Sequence, residues 1–147
     1  YGKGRTFIAG ADIREFGKPP KEPHLPDLCA QIEACKTPVI SVLHGTTLGG
    51  GLEVALATHA RIGIQGVKVG LPEVLIGIMP GAGGTQRTPR LTGIPSALDM
   101  ITSGRHVPTA EAHTIGLLDR VVDLAWPPRP CRLLKAWPRN AACSTIA

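Results

Sequence analysis

The stretch Val39-Ile-Ser-Val-Leu-His-Gly-Thr-Thr-Leu-Gly-Gly-Gly-Leu-Glu53 decides how this chain folds. Its first five residues form a continuous apolar run, the pattern of a parallel strand buried on both faces. Residues 44 to 51 read as a glycine-rich turn, and residues 52 to 57 as the helix that follows it. Upstream, Leu28, Ile32 and Cys35 share one face of a helix beginning at Asp27, which Thr37-Pro38 brings to an end. Residues 17 to 26 hold four prolines and read as a loop. Before that loop, residues 6 to 8 are expected as a short strand and residues 11 to 16 as a helical turn. Downstream, residues 61 to 64 and 67 to 69 read as strands, and Pro72-Glu73 opens a brief helical turn. A second glycine-rich turn, Pro80-Gly-Ala-Gly-Gly84, precedes a helix reaching about Leu91. Helices over residues 95 to 102 and 109 to 115 follow, then a strand at residues 120 to 122. Short β-like runs alternating with helices give an α/β class. No internal repeat is visible in the sequence.

The 147 residues suffice for one domain with a real core. Hydrophobic residues make up 43% and charged residues 18%, a composition that argues against disorder of the bulk. No apolar run approaches the ~20 residues of a membrane span. The opening Tyr1-Gly-Lys-Gly-Arg5 has no initiator Met and no apolar stretch of a signal peptide behind it, so it reads as the start of a fragment. Most of the net charge of +5 sits in the tail: Arg129, Arg132, Lys135 and Arg139 meet no acid there, and the other 12 basic residues face 11 acids, leaving the rest at +1. With aromatics at 3%, there is no basic, aromatic-studded face for nucleic acid. Cys29, Cys35, Cys131 and Cys143 form no CxxC and no zinc-finger spacing, so free thiols in a cytosolic or organellar protein are the plain reading. Two regions are expected: residues 1–125 as the folded core, and 126–147 as an atypical tail rich in Pro and Arg.

Three features carry candidate chemistry: Gly10-Ala-Asp12, Gly49-Gly-Gly-Leu-Glu53, and Leu71-Pro-Glu73 followed by Pro80-Gly-Ala-Gly-Gly-Thr-Gln86. A glycine turn that opens a helix presents backbone N–H groups with no internal acceptor, which can hold a developing oxyanion. Gly50 and Glu53 lie about one helical turn apart, so a donor and a carboxylate can face one cavity. Taken singly, each feature has a plainer reading. Glycine clusters more often make tight turns, and Glu53 and Glu73 could be acids favoured at helix N-termini. His44, His59 and His113 read as structural or surface residues.

In combination these motifs resemble one family. Residues 4 to 123 are similar to enoyl-CoA hydratases of the crotonase superfamily, and more narrowly to the hydratase part of bifunctional hydratase/3-hydroxyacyl-CoA dehydrogenases. The resemblance lies in Phe7-Ile-Ala-Gly-Ala-Asp-Ile13, His44-Gly-Thr-Thr-Leu-Gly-Gly-Gly-Leu-Glu53, Gly70-Leu-Pro-Glu-Val74 and Pro80-Gly-Ala-Gly-Gly-Thr-Gln86. Pro89-Arg-Leu-Thr-Gly93 and Ala97-Leu-Asp-Met-Ile-Thr-Ser-Gly104 extend it. It implies a right-handed spiral of ββα units, assembled as trimers or carried within a larger bifunctional chain. It further implies an acyl-CoA substrate with coenzyme A as part of it, and no metal or redox cofactor. By the same resemblance Glu53 and Glu73 are the catalytic acids, and the N–H groups of Ala11 and Gly50 hold the thioester oxygen. Gly10, Asp12, Ile13, Gly49, Pro80 and Gly81 then border the substrate. The implied compartment is the cytoplasm in a bacterium, or the peroxisome or mitochondrion in a eukaryote.

The chain departs from the family pattern in three places. An N-terminal segment of early strands is absent before Gly4, so an N-terminally truncated core is expected. Thr58-His59-Ala60-Arg61 stands where many relatives carry an acid, and the tail with Pro127-Pro128-Arg129-Pro130 lacks the character of closing helices. Hydration of a 2-trans-enoyl-CoA in β-oxidation leads the functional readings. A Δ3,Δ2-enoyl-CoA isomerase, which needs chiefly the acid at position 73, and an incompetent acyl-CoA-binding fragment remain open beside it. A dinucleotide-binding module fits poorly, because Gly81-Ala-Gly-Gly-Thr-Gln86 is not G-x-G-x-x-G.

Overall fold

The computed structural model describes residues 4–15, 17–19 and 22–123. The tail expected over 126–147, with Cys131 and Cys143, lies outside the described residues. The chain forms a 3-10 turn (Ile13–Glu15), α1 (Leu25–Glu33), β1 (Ile40–Leu43), β2 (Thr46–Leu48), α2 (Gly50–Ala57), β3 (Ala60–Ile64) and β4 (Lys68–Gly70). A 3-10 helix (Pro72–Ile76), α3 (Gly84–Ser103), β5 (Val107–Pro108), α4 (Thr109–Thr114) and β6 (Arg120–Val122) complete it.

The expected α/β class is found. Among the described residues two three-stranded sheets form, one ordered β1-β3-β6 and all parallel, the other ordered β2-β4-β5. In the second sheet β4 runs parallel to β2 and antiparallel to β5. The chain thus alternates between sheets. β1 and β2 are followed by a helix, then β3 stacks on β1 with Ile40 opposite Ala60, and β4 stacks on β2 with Thr46 opposite Lys68. Between the layers lies an apolar core that includes Leu43, Leu52, Leu56, Val69, Leu71, Met100 and Leu118. Burial of each such side chain contributes roughly 1.5–3 kcal/mol.

Several expectations need correction. Residues 6 to 8 form no regular strand; Phe7 N–H donates to His44 O at 2.9 Å and Ile8 O accepts from Leu48 N–H at 3.3 Å, too few bonds for a ladder. The turn expected over 11 to 16 is the shorter 3-10 turn. β2 lies within the stretch read as a turn, since three residues between Gly45 and Gly49 show no alternation and only β4 makes them a strand. β5 is shorter still. Helix α1 starts at Leu25 rather than Asp27, because Pro26 fits its first turn, and it ends at Glu33. Its packed face is therefore Leu25, Cys29 and Ile32, while Cys35 is exposed. The two helices expected over residues 84–102 are one assigned element broken at Gly93, whose φ of 76° and ψ of 162° are not helical.

Arg61, read as a departure from the family, is buried as a strut. Its guanidinium donates to Thr58 O at 2.8 Å and Leu117 O at 3.1 Å, and lies 3.1 Å from the Asp119 carboxylate. His59 joins the ends of β1 and β3: its Nδ1 accepts from Val39 N–H at 3.0 Å, and its own N–H donates to Val39 O at 2.9 Å.

The segment before residue 10 is seated against the helix that carries Glu53. A Cβ at Gly51 would collide with the carbonyl oxygen of Ile8. Gly51→Ala is therefore expected to destabilise the protein by about 1–3 kcal/mol. Chemical denaturation checks this, and an unchanged midpoint would show that the Ile8 segment is not seated there.

Candidate active site

The first glycine turn sets one wall of the site. Gly49, at φ 52° and ψ −131°, donates its N–H to Gly70 O at 3.0 Å and accepts Glu53 N–H at 3.0 Å. One glycine thus ties the end of β4 to the first turn of α2. The residues after β4 then enter the 3-10 helix carrying Glu73, whose Oε1 lies 3.2 Å from where a Cβ of Gly49 would stand. Any side chain at position 49 would crowd that carboxylate.

The second glycine turn sets the opposite wall. Glu53 Oε1 accepts the N–H groups of Ala82 at 2.7 Å and Gly84 at 2.8 Å, where α3 begins. A carboxylate held by two N–H donors is a charge-assisted arrangement, which satisfies a buried polar atom. A Cβ at Gly84 would stand 3.0 Å from that same oxygen and crowd it, so the close approach favours glycine. Glu53 and Glu73 are both buried.

Their hydrogen bonding differs. Among the described residues Glu73 Oε2 has no hydrogen-bond partner. Burial away from water pushes the Glu73 carboxyl above its ordinary value of 4.5, helped by the negative charge of Glu53, against the lowering effect of its own backbone.

Both carboxylates line one cavity of about 560 Å³. Ala9, Gly10, Ala11, Leu48, Gly49 and Gly50 form one side, Gly81 and Ala82 another. The remainder is apolar: Leu25 and Pro26 from α1, and Leu75, Ile76, Ile78 and Met79 after Glu73. Val74, Leu75, Ile76, Ile78 and Met79 are exposed. Gly50 N–H belongs to the first turn of α2, and among the described residues no acceptor meets it or the N–H of Ala11.

The structure thus brings Glu53, Glu73, Ala11, Gly50, Gly10, Gly49 and Gly81 to one cavity. Three candidates stand beside it. Asp12 is exposed and bonded to Arg14, with a closest approach of 2.7 Å. Pro80 is buried under the second turn, and the Ile13 side chain lies outside the described residues. His44 is buried with Nε2 near Gly4 O, and His113 is exposed, in keeping with structural and surface places. Among the described residues no cluster of His, Cys, Asp and Glu could hold a metal. Sequence reasoning missed the α1 contribution and the two N–H donors to Glu53. The apolar run Leu75-Ile-Gly-Ile-Met79, too polar-poor for a surface turn, was the available signal for a hydrophobic pocket.

An apolar cavity with two buried carboxylates and free N–H donors at its rim defines a site for acid–base chemistry on a largely apolar molecule. The chain belongs to the enoyl-CoA hydratase/isomerase family, whose profile matches residues 1–126. It is 51% identical over 122 residues to a peroxisomal bifunctional enzyme of Danio rerio and 49% identical over 118 residues to that of Homo sapiens. Those alignments cover 83% and 80% of this chain but 17% and 16% of the relatives, so the chain spans less than a fifth of their length. A crystal structure of an enoyl-CoA hydratase from Thermoplasma volcanium matches 91% of this chain and 54% of its own, with a TM-score of 0.79 at 34% identity. Among the described residues no helix is long and apolar enough to cross a membrane.

The raised value of Glu73 carries a stability consequence. Below the unfolded value both states hold the proton and burial is tolerated. As pH rises toward and through the folded value, the unfolded chain gives up its proton first, and stability falls. Glu73→Gln should therefore be more stable than the parent at neutral pH, with the difference vanishing below the unfolded carboxyl value. Thermal melts across pH check this; a difference that grew toward acid would reverse the sign of the argument.

Proposed function

We propose that this chain forms the hydratase site of an enoyl-CoA hydratase, adding water across the double bond of a 2-trans-enoyl-CoA to give a 3-hydroxyacyl-CoA. The observation that carries the reading is the unequal hydrogen bonding of two buried carboxylates around one apolar cavity. Glu53 has an oxygen fixed by two N–H donors, while Glu73 is desolvated and biased toward its protonated form.

Addition to the double bond needs two proton-handling groups on one face. Glu53 orients a water and takes its proton as the oxygen attacks C3. Glu73 gives a proton to C2 as the conjugated thioester oxygen gathers negative charge. The N–H groups of Ala11 and Gly50 bind that oxygen, and donors aimed at developing charge typically contribute several kcal/mol. The proton gained by Glu53 and the one lost by Glu73 re-equilibrate through solvent, so the net change is one water added. Gly10, Gly49 and Gly81 let the backbone approach the thioester closely, with Asp12, Ile13 and Pro80 flanking it. The acyl chain lies among Leu25, Leu75, Ile76, Ile78 and Met79. The acyl-CoA itself supplies the activated oxygen, so the residues need no metal or redox group.

The stacking of β3 on β1 and β4 on β2 supports a spiral of strand–strand–helix units. The peroxisomal bifunctional enzymes it resembles support a place within a longer, bifunctional chain and a peroxisomal setting, and β-oxidation is the pathway proposed for the reaction.

Glu53→Gln and Glu73→Gln in the full-length protein are each expected to lower crotonyl-CoA hydration by about 10²-fold or more without unfolding it. Near-normal turnover in either would remove that residue from the mechanism. A parent protein that shifts the double bond of a 3-enoyl thioester without hydrating crotonyl-CoA, with that shift retained in Glu53→Gln, would make isomerisation the reaction instead.

Ala11→Pro deletes one backbone N–H, whereas Ala11→Ser keeps it. The proline variant should lose activity by about 10²-fold relative to the serine variant. Equal rates in two folded proteins would place the oxyanion elsewhere.

A further inference from the structure

We infer that Arg87 is a positioning residue for Glu53, its guanidinium clamping the turn whose two N–H groups hold that carboxylate. The inference rests on the reading of Glu53 as the water-activating base. Arg87 lies in the first turn of α3 and donates its backbone N–H to Gly83 O at 2.9 Å. Its side chain folds back across Gly83, where Nη1 donates to Ala82 O at 2.9 Å. The same guanidinium reaches Glu33 at the end of α1, with Nη2 donating to Oε2 at 2.8 Å and Nε to Oε1 at 3.3 Å.

Ala82 is therefore gripped from both sides. Its N–H points to Glu53 Oε1 within the site, and its carbonyl oxygen is held by Arg87. Gly83 between them has φ of 97°, and a Cβ there would collide with Arg87 Nη1, so the turn and the guanidinium fit only with glycine at 83. The Arg87 side chain is only 12% exposed, and its bond to Ala82 O is partly buried, while the Glu33 end of the clamp faces solvent. A fork of fixed donors serves three acceptors at once, which the point charge of a lysine cannot reproduce. The clamp also ties α1, whose Leu25 and Pro26 line the cavity, to the turn under Glu53.

Arg87→Met keeps the stem of the side chain and removes every donor. In the full-length protein it is expected to lower kcat for crotonyl-CoA by about 10- to 10²-fold, with KM changed by less than about 2-fold, as a displaced catalytic group does. Added to Glu53→Gln it should lower the rate little further, because both act through one carboxylate. Arg87→Lys should recover only part of the rate. Backbone amide exchange gives a readout independent of turnover: Ala82 and Gly84 should exchange faster in Arg87→Met, and Gly49, bonded to Gly70, should not. Should Arg87→Met fail to fold, Glu33→Gln keeps the guanidinium, weakens its anchor and is expected to shift the same amides in the same direction. Parental exchange at Ala82 and Gly84 in a folded Arg87→Met, or losses that multiply in the double variant, would overturn the clamp. A parent protein that does not hydrate crotonyl-CoA would overturn the hydratase reading alone, and the exchange at Ala82 and Gly84 would still decide the clamp.

Discussion

The pair of hydrogen bonds from Ala82 and Gly84 to Glu53 Oε1 is the constraint on which the site depends. It joins the first turn of α2 to the first turn of α3, two helix N-termini that each carry unmet donors. Without it Glu53 would be a buried charge with no partner, a costly arrangement, and the second glycine turn would lack the acceptor that orders it. The glycines follow from this geometry. Position 84 must let a carboxylate oxygen approach the backbone, and position 49 must do the same for Glu73.

The parallel stacking of strands places these turns together. β1 and β3 run side by side, as do β2 and β4, so the connections leaving their ends fall on one side. The Gly49 N–H bond to Gly70 O fastens the exit of β2 to the exit of β4. Glu53 and Glu73, twenty residues apart in the chain, thereby become neighbours of one cavity. Their different surroundings follow from what each element offers: the turn that opens α3 presents the N–H groups of Ala82 and Gly84 to Glu53, whereas the 3-10 helix leaves Glu73 Oε2 without a partner among the described residues.

The cavity's apolar wall has a cause of its own. The 3-10 helix ends at Gly77, φ 74°, with the Glu73 carbonyl taking the N–H of Ile78. The last residues of this short helix and those that turn toward Pro80 belong to no long element, and their side chains have no core to enter. Leu75, Ile76, Ile78 and Met79 therefore remain at the surface around the site, an apolar rim suited to an apolar ligand.

The sequence by itself determined the α/β class, the strand that the structure places at Ile40–Leu43 within the run from Val39, and the helix behind Gly49, and the resemblance marked Glu53 and Glu73, which line one cavity. These are local matters of apolar runs, glycine turns and helix starts, legible because each signal lies within a few residues. The tertiary structure decided what pairing across the chain creates. Thr46–Leu48 becomes a strand only against Lys68–Gly70, and Cys29 rather than Cys35 is buried once α1 begins at Leu25. The parallel pairing of β1 with β3 and of β2 with β4 leaves no repeat in the sequence, because the paired strands share a backbone register and not a common set of residues. Which oxygen of which carboxylate meets an N–H, and that Arg87 reaches both Ala82 and Glu33, likewise depended on distances between elements that no spacing along the chain encodes.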